Sequence, residues 1–175
     1  MNKKWIITLA ILLVSAVLTA CSGRQKEAEA DSEAISFETT DLDGNVVKSG
    51  DLFKGHRLTM VNIWGTFCGP CIYEMPELEK LNYRLSKKDC SIVGIVCDVE
   101  SLEVTETIGE AKSLIDEAGV KYTNLIPWDN TWDIFPADAI PTTYFVDEKG
   151  RIVGEAAIGA RSADDYENLI DALLE

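Results

Sequence analysis

Residues 64 to 71 read Trp64-Gly65-Thr66-Phe67-Cys68-Gly69-Pro70-Cys71, and no other stretch limits this chain so tightly. Before them lies a β-rich apolar run; after them lies a helix-like run. Two cysteines with two residues between them at a strand-to-helix junction form a dithiol that can open and close. The first would sit at a helix N-terminus, where unpaired N–H groups and the positive end of the dipole favour thiolate over thiol. The second, about one turn on, is in reach of the first. It can attack a mixed disulfide and release the product. The competing reading is a structural staple, but so short a loop closes little chain and adds little stability.

The chain has 175 residues, enough for one domain with a real core. It opens Met1-Asn2-Lys3-Lys4 and continues with sixteen mostly apolar residues, Trp5 to Ala20. As a helix that run spans ~24 Å, short of the ~30 Å hydrocarbon core. Two lysines, a short apolar run and small residues at its end read as an export signal over 1–20. Residues 22 to 34 are polar and without periodicity, so 21–34 is read as a flexible tether and 35–175 as the folded domain. Outside the cytoplasm a disulfide can persist.

The whole chain carries −14; removing Lys3 and Lys4 leaves 14 basic against 30 acidic residues, or −16. That excess argues against nucleic acid and against charge-driven binding to anionic lipid. It serves solubility.

Beyond residue 35 the pattern is mixed. Ile35 to Thr39 alternates as a strand, and Asp43-Gly44 signals a hairpin turn. Leu58 to Trp64 and Ser91 to Val96 read as buried strands. Helices are expected over Cys68–Ser86, with Leu78, Leu81 and Leu85 inward and a kink at Pro76, over Leu102–Ala118 with a stop at Gly119, and over Ala163–Leu174. Lys121–Pro127 reads as a short strand. Thr143–Asp147 and Arg151–Gly154 read as a hairpin. Strands alternating with helices, then a hairpin and a last helix, predict a three-layer α/β domain.

These residues resemble the thioredoxin superfamily and, within it, the TlpA/ResA-like membrane-tethered thiol-disulfide oxidoreductases. The resemblance covers about 35–175. It rests on the Asp43-Gly44 hairpin, Val61-Asn62-Ile63-Trp64, Cys68-Gly69-Pro70-Cys71, Glu74-Met75-Pro76-Glu77-Leu78 and Ile140-Pro141-Thr142-Thr143. It implies a thioredoxin-like three-layer fold with an N-terminal β-hairpin and a central insert over about 101–136. Two departures stand out. Phe67 replaces a frequent tryptophan, and Asn62 stands where cytoplasmic thioredoxins carry a buried aspartate. The missing aspartate turns attention to Glu74 as proton acceptor, against the alternative of a solvated helix carboxylate. Leu18-Thr19-Ala20-Cys21 resembles a lipobox, which implies lipidation at Cys21 and a site at the extracytoplasmic face of a bacterial cell membrane.

The resemblance also assigns roles. Cys68 is the exposed nucleophile and Cys71 the buried resolving thiol. Pro141 is cis, faces the pair, bars metal from it, and leaves the backbone of Ile140 free for an extended client. Trp64, Gly69, Pro70, Ile140 and Pro141 are expected to touch the client. The activity implied is reduction of disulfides in exported proteins, with apocytochrome c and peptide-methionine sulfoxide reductase as candidate clients and a membrane electron donor of the CcdA/DsbD type. A disulfide-forming oxidase and a non-catalytic binding lipoprotein remain open alternatives. A monomer without cofactor or metal is expected. Cys90 and Cys97 are seven residues apart on one strand and of opposite parity, so they should not bridge each other; they read as small buried hydrophobes, with Cys97 near the redox end. His56 is the only histidine and is given no metal role. Trp128 and Trp132 are assigned mainly to packing of the insert.

Overall fold

The structure, a computed structural model, describes residues 33–175. The expected signal, Cys21 and all but the last two residues of the expected tether lie outside the described residues.

In chain order the elements are β1 (Glu38–Thr40), β2 (Val46–Lys48), α1 (Ser49–Phe53), β3 (Leu58–Trp64), α2 (Gly69–Leu85), a 3₁₀ turn (Ser86–Lys88), β4 (Cys90–Val96), α3 (Thr105–Ala118), β5 (Asn124–Leu125), α4 (Thr131–Ile134), β6 (Thr142–Asp147), β7 (Ala157–Ile158) and α5 (Ala163–Leu173). β1 and β2 form a separate antiparallel pair. The main sheet runs β5-β4-β3-β6-β7, with β3 parallel to β4, β4 parallel to β5, and β6 antiparallel to both neighbours. This is a mixed α/β thioredoxin-like fold with the N-terminal hairpin and helical insert that the sequence leads one to expect.

Every residue of β3 is buried, as a strand covered on both faces must be. Alternation sends Leu58, Met60 and Trp64 to one side, where they join Met75, Leu78, Leu81 and Leu85 of α2 and Tyr166 and Ile170 of α5. Val61 and Ile63 go to the other side, with Phe53 of α1 and Phe135. The three inward leucines of α2 are fully buried, each stabilising the fold by roughly 1.5–3 kcal/mol. Pro76 lies on the exposed face of α2, and the helix continues through it. Gly119 ends α3 in the left-handed conformation, φ +70°, with its N–H on the carbonyls of Ile115 and Asp116.

Three expectations need correction. β1 begins at Glu38, not Ile35. α3 begins at Thr105, not Leu102. Arg151–Gly154 is not a strand: it touches β6 through a single bridge, Val146 to Ile152, and the pairing partner of β6 is Ala157–Ile158. Gly154 at φ +69° bends the chain away, so the last strand forms after the bend. The short helices α1 and α4 carry too little periodicity to show in sequence.

Candidate active site

The strand-to-helix junction places Cys68 at the N-cap of α2 with β-region dihedrals, φ −91° and ψ 92°. Pro70 in the first turn has no N–H to lose there. The Sγ of Cys68 accepts from the N–H of Cys71 at 3.3 Å, the position a capping oxygen would take. Cys68 and Cys71 are joined by a disulfide, with Cα atoms 5.3 Å apart. On reduction the same N–H and the helix dipole stabilise negative charge on Cys68.

The Ile140-Pro141 peptide is cis, and the Ile140 carbonyl oxygen is 3.7 Å from Cys68 Sγ. The Pro141 carbonyl is taken by Gly159 N–H at 2.8 Å, while the Ile140 N–H has no partner among the described residues. Cys68 is 6% exposed and Cys71 1%. The order matches the assigned roles, but Cys68 is far less open than a freely exposed nucleophile. Gly69 and Pro70 are exposed beside it.

Trp64, expected to touch the client, is not at the surface. It is fully buried, and its indole Nε1 donates to Asn124 Oδ1 at 2.8 Å. Strand parity explains this: Trp64 points into the core with Met60, and Phe67, 72% exposed, presents the aromatic surface at the site. Phe67, Cys97, Trp132 and the segment 137–140 line a groove of about 440 Å³ next to the disulfide. Trp128 packs instead, stacked on Phe37 at 3.9 Å.

Glu74 is 3% exposed, so the solvated-carboxylate alternative is wrong. It lies one turn beyond Cys71 on α2 and accepts from Asn62 Nδ2 at 3.2 Å and from the Arg161 N–H at 3.1 Å. Burial pushes its carboxyl up to about 7, with the hydrogen bonds from Arg161, Asn62 and Tyr166 pulling the other way. A carboxyl poised there can take a proton near neutrality.

Cys90 and Cys97 are both free. Burial, and then the neighbouring Asp98, push the Cys97 thiol up to about 11, so it stays protonated at neutral pH and is a poor nucleophile. Asp98 itself accepts from the Thr66 N–H at 3.1 Å and its hydroxyl at 2.5 Å, fixing the loop before Cys68. Thr66 and Thr143 lie in the quoted motifs without a role to mark them, and Asp98 and Tyr166 had no motif to reveal them. Amphipathic spacing marks Tyr166 as inward on α5, but not the destination of its hydroxyl.

A helix-capping cysteine pair on a mixed sheet, faced by a cis-proline loop, defines a thioredoxin-like thiol-disulfide oxidoreductase. The chain belongs to the Redoxin family, whose model matches residues 28–170. It is similar to thiol-disulfide oxidoreductase ResA of Bacillus cereus, 28% identical over 171 residues, covering 96% of this chain and 94% of that protein. ResA of Halalkalibacterium halodurans is 30% identical over 127 residues, covering 72% and 67%. Among solved structures, a thiol:disulfide interchange protein of Chlorobium tepidum shares the fold with a TM-score of 0.68 at 24% identity, covering 81% of this chain and 95% of that one.

Proposed function

We propose that this oxidoreductase is a reductant of disulfides in exported proteins, held by lipid at Cys21 on the outer face of the bacterial cytoplasmic membrane. The observation that carries the chemistry is the capped sulfur of Cys68 beside the Ile140 backbone, whose N–H has no partner among the described residues. One activates the nucleophile; the other can receive a carbonyl of an extended client. The Gly69-Pro70 dipeptide is that of thioredoxin, a reductant with a potential of about −270 mV. The export signal and lipobox resemblance support the location. Client contact is assigned to Gly69, Pro70, Ile140 and Pro141, with Phe67 in place of Trp64. Apocytochrome c and peptide-methionine sulfoxide reductase fit as clients, and a CcdA/DsbD-type membrane protein as electron donor.

The reaction runs in two exchanges. The Cys68 thiolate attacks one client sulfur, forming a mixed disulfide and expelling the other client sulfur as thiolate, which takes a proton from solvent. The Cys71 thiol then gives its proton to Glu74 and attacks Cys68, closing the Cys68–Cys71 disulfide and expelling the second client thiolate. Two electrons pass from the protein to the client, and the proton held by Glu74 leaves to that thiolate or to water.

Equilibration with a thiol-disulfide buffer tests the direction: a potential near that of thioredoxin supports a reductant, and one near −120 mV, the value of a strong oxidant, would refute it. Labelling of whole cells with radioactive fatty acid should be lost in Cys21→Ala; equal labelling of both proteins would remove the lipid anchor from the reading.

The Glu74 assignment has a stability signature. Its folded carboxyl titrates at about 7 against an ordinary 4.5. Between those values the folded protein keeps a proton that the unfolded chain has lost, so stability falls as pH rises through that window and levels off above it. Glu74→Gln should remove this fall, shrinking the stability difference between pH 4 and pH 8 by about 1–3 kcal/mol. Denaturant titration at the two pH values reads it, and an unaltered difference counts against a buried titrating carboxyl.

A further inference from the structure

The acidic excess of this chain is not spread evenly over the fold. Strands β3, β4 and β5 end, and the antiparallel β6 begins, at the end of the sheet that carries Cys68. The loops at that end, 65–68, 97–104, 126–141 and 159–162, hold six acidic residues (Asp98, Glu100, Glu103, Asp129, Asp133 and Asp138) and one basic residue, Arg161. At the opposite end, loops 54–57, 86–89 and 148–151 hold six basic residues and two acidic ones. Asp129, Asp133 and Asp138 are exposed, and no basic side chain among the described residues pairs with any of them. Carboxylates of one sign around a cleft draw cations to it.

The groove beside the disulfide lies at this acidic end. Its lining is apolar apart from Asp138: Phe67 and Trp132 supply aromatic surface, Ala137, Ala139 and Ile140 supply aliphatic surface, and Cys97 is a protonated thiol. Phe67 is 72% exposed and Trp132 43%, and two large aromatics left this open gain free energy when an apolar group covers them. The groove is continuous with the Ile140 backbone, whose carbonyl is 3.7 Å from Cys68 Sγ and whose N–H has no partner among the described residues. A client segment that pairs there in extended form brings its cysteine to Cys68. Its side chains alternate at a rise of ~3.3 Å per residue, so one on the same face lies about 7 Å from that cysteine. Such a side chain falls towards Phe67 and Ile140, which both adjoin Cys68 and both line the groove.

We infer that the groove selects clients by local sequence: it takes an extended segment whose cysteine has a bulky apolar residue close by and lysine or arginine at its flanks. This rests on the reductant reading above and names the client segment it acts on. Phe67 and Trp132 cover the apolar side chain; Asp129, Asp133 and Asp138 attract the cations. The charges act on encounter more than on the bound state, because exposed ion pairs are individually weak. The chemistry is the pair of exchanges already described.

The test uses symmetric disulfides of three synthetic peptides with the reduced, full-length protein under single-turnover conditions. One peptide has leucine and lysine on both sides of its cysteine, the second leucine and glutamate, the third serine and lysine. Each second-order rate constant is divided by that for dithiothreitol with the same peptide, which removes the effect of flanking charge on the sulfur itself. At about 0.01 M salt, where the screening length is about 30 Å, the leucine-lysine peptide should react about 10-fold faster than the leucine-glutamate peptide; at 1 M, with a length of about 3 Å, the ratio should fall below about 3. Asp129→Asn, Asp133→Asn and Asp138→Asn together should bring the low-salt ratio below about 3, while Asp51→Asn, Glu148→Gln and Glu175→Gln, which remove the same charge elsewhere, should keep it near 10. The leucine-lysine peptide should outpace the serine-lysine peptide by about 5-fold, and Trp132→Ala should at least halve that gap. Equal rates for all three peptides overturn the inference and leave the reductant reading intact. A lysine preference that both triple variants keep equally is attraction to net charge alone, and overturns it as well; so does a leucine preference that Trp132→Ala leaves unchanged. If no peptide is reduced, the reductant reading falls with it.

Discussion

Cys68→Ser should lower the rate of disulfide reduction by on the order of 10³-fold or more, because a neutral hydroxyl cannot replace a helix-capped thiolate as nucleophile. Cys71→Ser should behave differently. Cys68 keeps its capping N–H from residue 71, since that donor belongs to the backbone. The first exchange then proceeds, and the second has no attacking sulfur. The variant should accumulate a mixed disulfide with its client, visible as a higher-mass band that a reducing agent removes. Insulin reduction with a recycling dithiol reads the first effect, and non-reducing electrophoresis of envelope proteins reads the second. Residual activity in Cys68→Ser near that of the parent would mean that Cys71, or another thiol, attacks first. Cys97 is a poor substitute, since its thiol stays protonated at neutral pH.

Gly94→Ala should be among the most destabilising single-atom additions this fold can receive. Gly94 lies in β4 between Asn62 on β3 and Asn124 on β5. A Cβ there would stand 2.0 Å from Asn124 Oδ1 and 3.1 Å from Trp64 Nε1. Asn124 is the partner of the buried Trp64 indole, and its own amide donates to the Tyr122 carbonyl at 3.0 Å. Moving Asn124 aside leaves a buried indole N–H without an acceptor. Overpacking and the lost bond together should cost about 2–5 kcal/mol. Gly109→Ala is the matched control. It lies on the exposed face of α3, with nothing within 4 Å of an added Cβ, and should stabilise by about 0.5–1 kcal/mol through helix propensity alone. Denaturant midpoints of the two variants should move in opposite directions; a tolerated Gly94→Ala would show that Asn124 has another place to go.

The legible part of the fold follows from local rules. The run Leu58–Trp64 is apolar at both parities, so it had to be a strand covered on both sides. Leu78, Leu81 and Leu85 repeat at helical spacing and had to face inward. Gly119 had to end its helix. Arg151–Gly154 misled because β-rich composition beside a turn looks like a hairpin, while the bend at Gly154 is a tertiary choice that moves the pairing to Ala157–Ile158. Trp64 misled for a related reason. It stands next to the redox motif in sequence, yet strand parity points it away from the surface, and Phe67 takes the exposed place.

Of the site, the chain alone determined the chemistry: two sulfurs three positions apart where a helix begins, and an isoleucine-proline pair about seventy residues later. These are local or pairwise facts, written in residue identity and spacing. Only the tertiary structure decided the proton environment. Glu74, Asn62 and Arg161 come from segments spread over about a hundred residues, and whether a carboxylate on α2 meets water or the buried donors of Asn62 and the Arg161 backbone depends on which surfaces pack over it. Desolvation and hydrogen bonding act through space with no fixed sequence separation. A spacing rule can therefore find the thiols and point to Glu74, but it cannot show that Glu74 is buried and which donors meet it.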